Sequence, residues 1–166
     1  MATDKIIMGW SKCKIEIGKT ADDGSMATSL TSIGYIKDKS ATLEPSDGDT
    51  LEMKATGGEL VAKETTEGGY TLTATVIEPT TALLTMLGIG TADSTGGGFK
   101  VNTHIVDGDW SVQLTPKNTG AKGIKAPKCH ITYKPAWSEE EGNYAEIEFE
   151  ILKGEADYWY SIFVKE

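Results

Sequence analysis

Residues 51–88 read LEMKATGGELVAKETTEGGYTLTATVIEPTTALLTMLG, and the alternation inside this run decides the fold class. From Tyr70 to Ile77, the residues Tyr70, Leu72, Ala74 and Val76 interleave with Thr71, Thr73, Thr75 and Ile77. A period of two sends apolar side chains to one face and mostly threonines to the other, and β-branched residues suit a pleated, half-buried surface. Glu67-Gly68-Gly69 tolerates positive φ and predicts a hairpin turn back onto residues 60–65. Gly57-Gly58 predicts another, behind the strand that ends near Lys54. Proline has no N–H to donate, so Glu78-Pro79 ends the ladder. Ala82, Leu83, Met86 and Leu87 then follow at helical spacing, and Gly88 stands where a left-handed residue commonly closes a helix. The expectation is one short helix over about residues 79–87, flanking a sheet.

Working outward, residues 12–18 (KCKIEIG) alternate charge and apolar side chain and predict a first strand. Residues 33–54 predict two short strands with Asp47-Gly48 as their turn. Strands are also expected at 99–106 and 110–114, on either side of Asp107-Gly108-Asp109, and again at 128–134 and 157–164. Residues 145–152 (AEIEFEIL) alternate most cleanly, with Ile147, Phe149 and Ile151 inward and Glu146, Glu148 and Glu150 outward. Trp137 to Asn143 reads as an acidic turn. Long loops are expected at 19–30, 89–98 and 117–127. Residues 1–166 thus predict a single, mainly β domain: an antiparallel β-sandwich or rolled barrel with one flanking α-helix. A chain of this length buries roughly 70% of its unfolded surface.

Composition narrows the function classes. The formal charge is −9, and every cationic residue is a lysine, because the sequence has no arginine. Arginine is the usual residue for bidentate recognition of phosphates and bases, so sequence-specific nucleic-acid binding is not expected. No window approaches the roughly 20 apolar residues of a membrane span. The segment MATDKIIMGW lacks the apolar core of a secretion signal, which points to a cytoplasm as the place of synthesis. Cys13 and Cys129 each sit among alternating apolar neighbours, and two buried free thiols are expected rather than a disulfide.

The motifs of chemistry are absent or broken. Gly18-Lys19-Thr20 resembles the end of a phosphate-binding loop, but the first glycine of that motif would fall on Cys13. The glycines of 89–98 have no helix behind them to cradle a phosphate. His130 follows Cys129 directly, so the two side chains point to opposite faces of a strand, and no CxxC or HxxxH spacing exists elsewhere. The two Asp-Gly-Asp turns lack the ligand spacing of a calcium loop. No serine sits in a nucleophile-elbow motif. Neither an enzyme nor a cofactor is expected.

The run from Ser32-Ile33-Gly34-Tyr35 through Asp47-Gly48-Asp49 and Gly57-Gly58 matters for a different reason. With the strand at Tyr70–Ile77 leading into Glu78-Pro79 and the helix ending Met86-Leu87-Gly88, it resembles the bacteriophage tail-tube (major tail) protein family. That family is similar in fold to the tube proteins of contractile and type VI secretion systems. The resemblance covers most of the chain as an order of elements, not as a diagnostic signature. It implies hexameric rings that stack into a conduit for DNA, assembled in the bacterial host cytoplasm and located in the virion tail. The partner would be further copies of the chain, together with other tail proteins. It makes Glu146, Glu148 and Glu150, or Thr71, Thr73 and Thr75, candidates to line the lumen. It also makes the loops carrying Asp22, Asp23 and Gly24, Gly96, Gly97 and Gly98, and Lys122 and Lys125 candidates for subunit contacts. The alternative is a ligand-binding β-sandwich, an adhesin or carbohydrate-binding module with Trp110, Trp137, Trp159 and Tyr160 as a stacking platform.

Overall fold

The computed structural model describes residues 7–9, 12–93, 96, 98–153 and 157–166. Nine strands form one antiparallel sheet that does not close into a barrel. In chain order these strands are β1 (Cys13–Lys19), β2 (Thr31–Ser32), β3 (Tyr35–Ile36), β4 (Thr42–Lys54), β5 (Leu60–Ile77), β8 (Trp110–Pro116), β9 (Lys122–Ser138), β10 (Gly142–Ile151) and β11 (Ser161–Val164). Between β5 and β8 lie the helix α1 (Thr81–Leu87) and a separate hairpin of β6 (Gly90–Ala92) with β7 (Phe99–Val101). Neighbours run β2-β1-β8-β9-β10-β5-β3, with β4 added to β5 and β11 to β9. One core cluster holds Ile15 and Ile17 from one end of this path, Leu72 and Val76 from the other, and Leu83, Leu84 and Leu87 of α1. The sheet must therefore fold over on itself in a sandwich-like manner, with the helix covering part of the apolar interior.

The cleanest alternation behaves as expected. Ala145, Ile147, Phe149 and Ile151 of β10 are buried, and the intervening glutamates face outward. The helix begins later than expected, at Thr81 rather than 79. Thr80 is the N-cap, its hydroxyl accepting from the Leu83 N–H at 3.2 Å, so Pro79 lies outside the helical turn. Gly88 closes it at φ 74, donating to the carbonyls of Leu84 and Thr85.

Two expected turns are not turns. β4 runs unbroken through Asp47-Gly48, and β5 runs unbroken through Glu67-Gly68-Gly69. Only Gly57-Gly58, at φ 94 and 86, reverses the chain. The other two glycine stretches lie opposite one another, where the β4–β5 register shifts between Pro45 and Asp47 and again between Asp47 and Thr50. Glycine is used here for a bulge, which kinks a strand without ending it. A Cβ on Gly48 would run into the backbone carbonyl of Thr66. The Ser46 hydroxyl ties the kink together, accepting from the Gly69 N–H at 2.9 Å and donating to its carbonyl at 3.1 Å.

The expected loops are shorter than 19–30, 89–98 and 117–127. Lys19 belongs to β1, residues 90–92 to β6, and residues 122–127 to β9. Gly123 and Pro127 make the last stretch read as a loop, yet β9 admits Pro127 at a bulge where its pairing with β8 shifts between Trp110 and Val112. The freed Pro127 carbonyl accepts from the buried Ser111 hydroxyl at 2.8 Å and from the Thr20 hydroxyl at 2.7 Å. The expected strand at 99–106 stops at Val101, and the one at 157–164 starts at Ser161.

Candidate functional site

The two sets of residues expected to compete for one role form a single surface. β5 and β10 pair so that Thr75 faces Glu146, Thr73 faces Glu148 and Thr71 faces Glu150. On the far side of β10 the same positions face Lys134, Thr132 and His130 of β9. On the far side of β5, Thr42 and Glu44 of β4 extend the face opposite Thr73 and Thr71. Directly paired side chains share a sheet face, so four strands contribute to one polar surface. Among these positions only Lys134 is cationic, and its Nζ lies 3.0 Å from Glu148 Oε1. The hydrogen bond and charge of that carboxylate raise the lysine above its ordinary pKa. The surface stays anionic, because Glu44, Glu146 and Glu150 have no such partner at these positions.

The candidate contact residues are dispersed. Asp22, Asp23 and Gly24 form a turn in which the Asp23 carboxylate accepts from the Ser25 N–H at 3.0 Å and its hydroxyl at 2.5 Å. Those two bonds hold the Asp23 carboxyl below the usual range. The turn borders a cleft of about 390 Å³ with Lys19, Asp109 and Lys128, and Lys128 lies 3.8 Å from Asp109. Gly96 sits at φ 77, the Gly98 carbonyl accepts from the Asp93 N–H at 2.8 Å, and Gly97 lies outside the described residues. Lys122 and Lys125 are not in a loop at all. They stand in β9 opposite Val164 and Ser161 of β11, with the Lys125 Nζ 4.7 Å above the Phe163 ring.

The aromatic residues do not assemble into a platform. Trp110 is in the core, and its indole N–H donates to the Asp107 carbonyl at 3.0 Å. Trp159 and Tyr160 both pack edge-on against Tyr70, and the Trp159 indole donates to Glu67 at 3.1 Å. Among the described tryptophans only Trp137, 70% exposed at the end of β9, presents its indole to solvent. Both cysteines are free. Cys129 is buried, its thiol donates to the Trp110 carbonyl at 3.0 Å, and burial pushes its pKa up; Cys13 is half-buried and shifted the same way. Among the described residues no group of three His, Cys, Asp or Glu side chains is placed to hold a metal ion, and no helix is long and apolar enough to cross a membrane.

Two features were not singled out in the sequence. Beyond the paired bulges, residues 46–69 leave the sheet as a two-stranded arm, since only β4 accompanies β5 there. Leu51 pairs with Glu64 and Met53 with Ala62 on one face of this arm; Glu52 pairs with Lys63 on the other, where Lys54 also lies 3.8 Å from Glu52. Leu51 is 61% exposed, Met53 64%, and Leu60 and Val61 near the tip are exposed too. The signal was present, because 51–54 alternate strictly, but alternation does not say whether a covering layer exists.

The second feature is an open groove of about 870 Å³ where the two ends of the sheet approach without pairing. Lys12, Cys13, Lys14 and Ser32 line it from the β1–β2 end, and residues 34–39 with Ala41 line it from the β3 end. Gly34, at φ 104, turns the chain from one end to the other. No protein-family model matches this chain, and no curated protein matches it.

Proposed function

We propose that the chain is a self-assembling structural subunit of the tail-tube kind, building stacked rings that enclose a conduit for DNA. The observation that carries this reading is the arm. An isolated two-stranded hairpin is at best marginally stable in water, and this one also presents Leu51 and Met53 to solvent on one face. Exposed apolar surface on an extended element marks an interaction site. A subunit whose extended hairpin is completed by its neighbours has this form, whereas a self-contained binding module has no need of it.

The anionic four-strand face supports the conduit. Phosphates passing a wall that bears Glu146, Glu148 and Glu150 meet repulsion over a screening length of about 8 Å, so DNA slides without adhering. The threonines between the carboxylates hydrate the wall without adding positive charge. In the assembled tail this face lines the lumen, and six subunits form each ring, as in the family the sequence resembles.

The test is the mass of the concentrated protein by light scattering, with negative-stain images of the same sample. Rings or tubes at a multiple of 17.8 kDa are expected. A monodisperse monomer at every concentration, together with glycan-induced quenching of Trp137 fluorescence, would replace this reading with the binding module.

A further inference from the structure

The arm has an uncovered apolar face, and the groove at the sheet ends has an uncovered apolar wall. Tyr35, 78% exposed, stands there beside Ile36, Ala41 and the half-buried Cys13. Their charges are opposite. Lys12, Lys14, Lys37 and Lys39 surround the groove with Asp38 as the only acidic residue of its lining. Two of these lysines are already engaged, Lys14 with Glu16 at 3.5 Å and Lys37 with Glu141. Lys12 and Lys39 make no ion pair among the described residues. On the arm the balance is reversed, with Asp49, Glu52, Glu59, Glu64 and Glu67 against Lys54 and Lys63. In a chain of net charge −9, the four-lysine groove is a local concentration of positive charge, and the acidic arm is its electrostatic complement.

We infer that this groove is the seat for the arm of a second copy of the chain, with Leu51 and Met53 laid against the Tyr35–Ile36 wall and the arm's carboxylates on the groove's lysines. The inference rests on the self-assembly reading and names the surface that assembly uses. The arm does not fill its own molecule's groove, because Leu51, Met53 and Tyr35 are all exposed in the single chain. Donor and acceptor surfaces differ, so each copy gives an arm and receives one. Passed on from copy to copy, the contact closes into a ring or runs on as a filament, which is the form the tube reading requires, whereas two copies exchanging arms reciprocally would stop at a two-fold dimer.

Cys13 makes the contact testable with the full chain. Met53→Cys places a thiol on the exposed arm face, and oxidation with copper phenanthroline should link it to Cys13 of the next copy, giving a covalent ladder in steps of 17.8 kDa. The ladder should vanish in Met53→Cys/Cys13→Ser. A second pair of variants reads the charges. Lys12→Glu/Lys39→Glu and Glu59→Lys/Glu64→Lys should each raise the concentration needed for assembly about ten-fold or more, and mixing the two should restore co-assembly. Assemblies seen by light scattering without a Cys13-dependent ladder would overturn the docking site and leave self-assembly standing. A cross-link that survives Cys13→Ser joins arm to arm and overturns it too. No assembly and no ladder at any concentration would remove both readings.

Discussion

Phe149 is wholly enclosed, paired with Leu72 across β5 and with Ile131 across β9. Truncation at such a site forfeits transfer free energy and leaves a cavity. Phe149→Ala is therefore expected to lower unfolding free energy by about 3–5 kcal/mol, read from the midpoint of urea denaturation. Cys129 gives a different signature. Burial raises its pKa, so the folded chain keeps the thiol proton while the unfolded chain releases it near the ordinary value of 9.0. The folded state then binds more protons above that pH, and stability falls as pH rises. The expected slope from this group steepens from about 0.7 kcal/mol per pH unit at pH 9 to nearly 1.4 by pH 10.5, as the unfolded thiol ionises. Urea melts across that window should show the decline in the native chain and a flatter profile in Cys129→Ala; parallel profiles would refute the assignment. Lys37 and Lys134, both raised by glutamate partners, lose their contributions only at still higher pH, as pH passes their folded values.

At the scale of elements, the arm separates folding from assembly. Leu51→Glu with Met53→Glu changes only exposed positions, so the thermal midpoint of the monomer should move by no more than about 2 °C while light-scattering mass collapses to that of one chain. Surface substitutions of this type usually stay within about 0.5 kcal/mol. A large loss of midpoint would mean instead that the arm packs on its own body. The arm was legible as two strands but not as an arm. Glycine pairs announce that a backbone can adopt unusual φ, not whether it uses that freedom to reverse or to bulge. Gly57-Gly58 reverses the chain, whereas Gly48 and Gly69 lie where β4 and β5 kink together. Lys122 and Lys125 were misplaced for a related reason. Gly123 and Pro127 are loop residues in any local reading, and only the bulge against Trp110 and Val112, set by a strand elsewhere in the chain, lets β9 include them.

For the molecule as a whole, alternation alone showed that Glu146, Glu148 and Glu150 face outward and that Thr71, Thr73 and Thr75 do the same. It did not show that they are neighbours, because the β5–β10 pairing joins segments about seventy residues apart and nothing local encodes it. On the proposed tube reading, with the six on one surface, triple substitution of the glutamates by lysine should slow DNA ejection from assembled tails, and more strongly at low salt than at high, as a screened interaction requires. Ejection kinetics that stay unchanged at low salt would exclude this face from the lumen. The same distant pairing shapes how the chain is made. β1 finds its long partner only in β8, which begins at Trp110. A ribosome adding 5–20 residues per second needs roughly 5–20 s to reach that residue after finishing β1. During synthesis Ile15 and Ile17 therefore wait without the β8 strand that covers them, and the nascent chain carries an apolar segment that stays exposed to aggregation until its eighth strand emerges.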